Sequence, residues 1–123
     1  MEKDITKLIE IACYHYQNSK NEIDVTPENV LIKTNLKPLP EIRSIVSVLA
    51  KDILNYSVKE AEAIFGKTHT YLIYWKKIIK NLCETDKIYK SRFDYIVNEF
   101  KDYLERKDMK EDEIINQMGI LIQ

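Results

Sequence analysis

Apolar residues recur along this chain at intervals of three and four positions, which is the spacing of an amphipathic α-helix. The pattern divides the chain into six helices of about 8 to 20 residues, apart from a shorter second one, within the usual range for globular helices. We expect these helices at about residues 4–19, 27–32, 41–55, 58–65, 69–83 and 87–106. They predict an all-α fold, a compact multi-helix domain over residues 1–106.

A seventh, short helix is expected in the C-terminal extension, residues 107–123. It starts at about Asp108 and has an apolar face. That face consists of Ile114, Ile115, Met118, Leu121 and Ile122. It needs a surface to cover it, which its own domain, a second copy or another protein could supply.

Short sequence signals mark several helix ends. Ser57 and Glu60 have the spacing of a capping box, in which each side chain satisfies the other's free backbone N–H. Thr26 is expected to cap the second helix, and Thr85-Asp86 the sixth. Two prolines within residues 33–40 predict an extended linker before the third helix.

A helix-turn-helix is predicted in the middle of the domain. The helix at 58–65 ends at Gly66, which adopts a left-handed conformation at little cost, and Thr68 can cap the helix at 69–83. A short helix, a tight turn and a longer helix typically project the second helix from the surface.

Composition narrows the class of protein. The chain has 123 residues, 45% of them hydrophobic, with only two glycines and three prolines. Sandwiches, barrels and glycine-rich phosphate loops need many turn residues, so this composition favours one all-helical domain. No segment reaches the roughly 20 apolar residues that span a bilayer, and the first residues lack the form of a signal peptide. We therefore expect a cytoplasmic protein without a membrane partner.

The reactive residues form no catalytic pattern. Cys13 and Cys83 lie far apart without metal-ligand spacing, and a packing role is favoured for His15 on the first helix. Gly66-Lys67-Thr68 is similar to the end of a nucleotide-binding loop, but the required upstream glycine is missing. We expect no enzyme, no metal, no cofactor and no small-molecule substrate.

Positive charge is concentrated in the middle of the chain. Residues 41–90 carry nine basic and six acidic side chains, although the net charge of the whole chain is -1. Residues 67–83 contain no acid, and their basic residues are Lys67, Lys76, Lys77 and Lys80. Such a helix can face phosphate, but lysine is also common on solvated helix faces, so charge alone leaves both interpretations open.

The segment from Arg43 to Asp86 resembles the C-terminal DNA-binding domain of the bacterial chromosomal replication initiator DnaA. Residues 50–60 are similar to the family's segment leading into its helix-turn-helix. Phe65-Gly66-Lys67-Thr68-His69-Thr70 is similar to the signature turn and the start of the recognition helix, and residues 82–86 fit the exit from that helix. A looser likeness extends from the first helix to about Phe100.

This resemblance implies a Trp-repressor-like helix-turn-helix whose recognition helix enters the major groove with its N-terminus. It implies base contacts from His69 and Thr70. It also implies that three basic residues serve the phosphate backbone, namely Arg43, Lys51 and Lys67.

Further candidates occupy positions where this chain departs from the family. Thr68 and Tyr71 stand at base-reading positions, where Tyr71 could contact a thymine methyl or stack. Asn35 occupies the position of the minor-groove arginine, and Lys37 is the alternative for that groove. Lys76 and Lys77 are added as phosphate contacts because of their charge, whereas Trp75 is interpreted as packing at the core edge.

Two functions remain in competition. The first is sequence-specific binding of double-stranded DNA, as a replication-associated or transcription-regulating protein without an ATPase module. The alternative is a helical protein-interaction module that kept the fold and lost specific readout, with a homodimer or protein partner bound through the C-terminal helix. The slightly acidic balance, with a pI near 6.1, supports the alternative.

Overall fold

Six α-helices make up the part of the chain that the structure describes, and the third of them lies at its centre. The computed structural model describes residues 1–18 and 20–107, and no strand occurs among them. The helices are α1 (Lys3–His15), α2 (Pro27–Leu31), α3 (Leu39–Asp52), α4 (Val58–Ala63), α5 (Tyr71–Thr85) and α6 (Lys87–Lys107). The expected all-α class is confirmed. The C-terminal extension lies, from Asp108 onward, outside the described residues.

Helix α3 is the core element because apolar and small residues surround its axis. Every residue from Ile42 to Ala50 is buried, and α1, α2, α4 and α5 all pack against the helix. Ser44 and Ser47 are fully buried, and their small side chains let neighbouring helices approach closely. Helix α6 closes the other side of α1 and α5 with apolar side chains that include Ile96 and Phe100.

Three of the predicted caps are confirmed. Thr26 Oγ1 accepts a hydrogen bond from the Asn29 N–H at 3.1 Å. The Ser57–Glu60 capping box is complete, with its two hydrogen bonds at 3.0 and 3.1 Å. Asp86 Oδ1 accepts from two N–H groups in the first turn of α6, at 3.0 and 3.1 Å. These three helices begin where their local sequence predicts.

Several other helix bounds differ from the prediction. Helix α1 ends at His15, four residues early. Helix α3 begins at Leu39, so Pro40 lies in its first turn rather than in the linker. Proline is tolerated there because the N–H that it lacks would have no partner within the helix. Helix α3 also ends early, at Asp52, and Asn55 follows with a left-handed φ of 61°.

Candidate nucleic-acid interface

The turn between α4 and α5 presents three polar residues to solvent. Gly66 and His69 have left-handed φ values of 67° and 56°, and these two positions reverse the chain direction. Thr68, His69 and Thr70 are all exposed, and we call these three residues the tip. None of the described helices covers the tip.

The helix that follows the tip begins later than predicted. Helix α5 starts at Tyr71, its N-cap is Thr70, and the turn spans residues 64–70 rather than three residues. Thr68 is therefore not the cap, and the prediction that it caps this helix is wrong. The Thr70 hydroxyl makes no capping hydrogen bond either.

Glu62 on α4 supplies the missing cap. Its side chain is only 4% exposed, and its Oε2 accepts a hydrogen bond from the Leu72 N–H at 3.1 Å. Its backbone carbonyl accepts from the Lys67 N–H at 2.9 Å. A carboxylate is favourable at the positive end of a helix. One residue of α4 thus fixes both the turn and the start of α5.

Arg43 occupies a different place from the one the resemblance implies. Its side chain is 6% exposed, and its guanidinium donates to backbone carbonyls at the end of α2 and in the α2–α3 connection. The acceptors are Val30, Ile32 and Thr34 at 2.6–2.7 Å, with Asn29 at 3.5 Å. Burial lowers the pKa of this guanidinium from its ordinary value. The expectation that Arg43 contacts phosphate is corrected, because its donors hold the protein's own backbone.

The extended segment and the turn line one cleft. This cleft has a volume of about 530 Å³, and its lining includes Lys33, Asn35, Arg43 and Lys67. The minor-groove candidate Asn35 therefore lies beside the predicted turn, although the two are far apart in sequence. Lys37, the other minor-groove candidate, is exposed and lines a second cleft on the far side of Asn35.

Tyr71 is half-buried at the start of α5. The Lys67 ammonium lies 5.8 Å from the centroid of its ring, within range of a cation–π contact. Burial raises the pKa of the Tyr71 hydroxyl to about 12, and the nearby Arg43 charge opposes part of that rise. Only part of the ring is available to a ligand, and base contact by Tyr71 stays a prediction.

The other lysines that were predicted to contact phosphate differ in how accessible their side chains are to a ligand. Lys77 is exposed and Lys51 is half-buried. Lys76 forms an ion pair with Asp52 at 3.0 Å, with both side chains about two-fifths exposed. Exposed ion pairs contribute little free energy, so a phosphate can replace Asp52 as the partner of Lys76.

Two exposed side chains on α5 were not among the predicted site residues. Ile73 and Tyr74 are 57% and 60% exposed. Together with Lys77 they form the outer face of α5, one and two turns after Thr70. The signal was available, because Leu72 and Ile79 are seven residues apart on the buried face and place Ile73 and Tyr74 outside it.

Other kinds of site find little support in the part of the chain that the structure describes. No group of three or more His, Cys, Asp or Glu residues there could hold a metal ion. Cys13 is buried and Cys83 half-buried, and both are free thiols. His15 is half-buried, bonded to Glu99 at 2.9 Å and stacked on Tyr95, in keeping with a packing role. None of the described helices has the length and apolar character that crossing a membrane requires.

Comparisons with known proteins identify no relative: no family model, no curated protein and no solved structure matches the chain.

Proposed function

We propose that the chain binds double-stranded DNA sequence-specifically, with the tip and the outer face of α5 in the major groove. The observation that carries the proposal is the exposure of the tip at the start of a helix whose first turn contains no acid. A helix of this kind fits the major groove of B-form DNA. The proposed role is replication-associated or transcription-regulating, as the resemblance to the initiator family implies.

The side chains of the tip suit the edges of bases. A hydroxyl and an imidazole can donate or accept hydrogen bonds, and Thr70 and His69 are both exposed. Apolar side chains such as Ile73 suit the thymine methyl group. Because Glu62 fixes the turn, these groups are held in position before any ligand binds.

The lysines suit the phosphates beside the groove. Lys67 stands at the turn and Lys77 one turn further along the outer face than Ile73 and Tyr74. Phosphate contacts fix orientation but carry no sequence information. The tip and the lysines are therefore expected to affect binding in different ways.

Selection from a random duplex library tests this proposal. A shared motif among the bound duplexes is the expected result. The substitutions His69→Gly and Thr70→Ala should then reduce the preference for that motif, whereas Lys77→Gln should weaken binding to all sequences alike. Thr6→Ala, an exposed threonine on α1, is the matched control for Thr70→Ala. Absence of any enriched motif would count against specific DNA binding.

The second candidate function is a protein-interaction module. A specific observation favours it: Tyr14, Ile88 and Tyr95 are 62–73% exposed on α1 and α6, and Tyr14 and Tyr95 both contact the His15 ring. Exposed aromatic residues are common at protein interfaces. Light scattering on the full chain and on a chain truncated after Lys107 tests self-association through the extension. A monomer mass for both chains would remove the homodimer.

A further inference from the structure

A row of basic side chains that form no ion pair with the described acids runs from the turn between α4 and α5, along the extended segment before α3, and into a second cleft. Lys33 and Lys67 line the first cleft. A second cleft, of about 350 Å³, lies on the other side of Asn35 and contains three more cations. We call the whole set the basic strip: Lys20, Lys33, Lys37, Lys67 and Arg92. Within residues 1–18 and 20–107, no member of the strip forms an ion pair.

The acids near the strip are few. Glu41 is the only carboxylate among the described residues that line either cleft. Glu22 lies next to the strip, but its Oε1 accepts a hydrogen bond from the Lys37 backbone N–H at 3.0 Å. Five cations against two carboxylates leave this surface positive, although the whole chain has a net charge of -1.

The scaffold beneath the strip is fixed by hydrogen bonds. The Arg43 guanidinium holds the carbonyls of residues 29–34, and Glu22 pairs with Lys37 through two bonds, at 2.8 and 3.0 Å. The guanidinium of Arg92 stacks on the Tyr16 ring, 4.3 Å from its centroid. Charges on a preorganised surface lose less conformational entropy when they bind a ligand.

We propose that the basic strip binds a second stretch of the phosphate backbone of the same duplex, separate from the stretch beside the outer face of α5. The inference rests on the proposed function and extends its site to Lys20 and Arg92. Phosphate is the ligand that matches a row of unpaired cations.

A pair of charge-matched double variants tests the strip. Lys20→Gln/Lys37→Gln removes two strip charges, and Lys3→Gln/Lys101→Gln removes two exposed charges from α1 and α6. The probe is a random-sequence duplex of about 20 base pairs, two helical turns, titrated by fluorescence anisotropy at several salt concentrations. Each lost phosphate contact lowers the slope of log K against log salt by about 0.9. The strip variant should lower the slope by roughly 2, and the control variant should leave it unchanged.

Duplexes with single uncharged methylphosphonate linkages locate the contacts. Neutral linkages at two separate clusters of positions should weaken binding of the wild-type protein to the duplex. Neutral linkages at one of these clusters should leave the affinity of the strip variant unchanged. A single cluster, or a strip variant with the salt slope of the control, overturns the inference and leaves the proposed function standing. A wild-type protein that binds no duplex overturns both. As the control for folding, both double variants should unfold at the same midpoint temperature as the wild-type protein.

Discussion

The Glu62 carboxylate on α4 accepts a hydrogen bond from the Leu72 N–H on α5 at 3.1 Å, so the first helix of the pair caps the second. This bond sets the start of α5 and with it the exposed tip. It also links the stability of the turn to the geometry of the candidate site. Both properties can be measured on the same variants.

The Glu62 cap is expected to stabilise the fold. We expect Glu62→Ala to lower the free energy of unfolding by about 1–2 kcal/mol, because a buried N–H loses its acceptor. Glu62→Gln keeps an acceptor oxygen and should therefore lower the free energy of unfolding by less than Glu62→Ala. Urea denaturation measures both variants. Equal losses for the two substitutions would show that the hydrogen bond itself matters little.

The buried position of Arg43 leads to a second prediction. Arg43→Lys keeps the charge, but one ammonium cannot serve carbonyls spread along residues 29–34. We expect a loss of about 2–4 kcal/mol in the free energy of unfolding, as for other broken buried networks. Lys67→Gln, at the exposed turn, is the control and should change stability by less than about 0.5 kcal/mol. Wild-type stability of Arg43→Lys would show that the fold does not depend on these hydrogen bonds.

The backbone at His69 allows the imidazole to be removed without harm to the fold. Its φ of 56° is unfavourable for a residue with a Cβ, so His69→Gly should raise the free energy of unfolding by up to about 1 kcal/mol. On the proposed function, the same variant should bind its DNA motif more weakly. Denaturation measures the effect of this substitution on stability, and binding titrations measure its effect on the affinity for DNA. Weaker binding with unchanged or higher stability is the expected combination, and unchanged binding would remove His69 from the interface.

The capping box predicts a pH dependence. Hydrogen bonds from the Ser57 backbone and side chain lower the pKa of the Glu60 carboxyl below the ordinary value of a glutamate. Because the folded pKa is depressed, the stabilisation is present above the unfolded pKa and is lost as pH falls through the folded pKa. A carbon-detected NMR titration should show the lowered pKa in the wild type. Ser57→Ala removes the side-chain hydrogen bond and keeps the larger backbone one, so in this variant the pKa should rise by only part of its depression. No rise in that variant would contradict a contribution from the Ser57 hydroxyl.

The sequence predicted those parts of the fold whose causes are local. Thr26, the Ser57–Glu60 box and Asp86 each bond within three residues, so their spacing alone located the helix starts. The apolar spacing likewise located the six helices, since it depends on neighbours within one helix.

Two of the wrong predictions depend on contacts between distant residues. Arg43 bonds to carbonyls nine to fourteen positions away, and no sequence signal distinguishes such an arginine from an exposed one. Helix α5 begins at Tyr71 because Glu62, ten residues before Leu72, accepts the hydrogen bond of the Leu72 N–H, and a pattern of nearby Thr or Ser does not indicate such a cap. The clustering of Lys20, Lys37 and Arg92 in one cleft also depends on tertiary packing.

Because Arg43 donates hydrogen bonds to carbonyls of the α2–α3 connection, a change in the length of that segment and a substitution of its side chains have different effects on the fold. An inserted or deleted residue would turn carbonyls away from the guanidinium and leave a buried charge unsolvated, so the length of the segment is constrained. Substitution of its outward side chains disturbs none of these bonds. The segment can therefore vary in composition, at Lys33 and Asn35 among others, while its length stays constant.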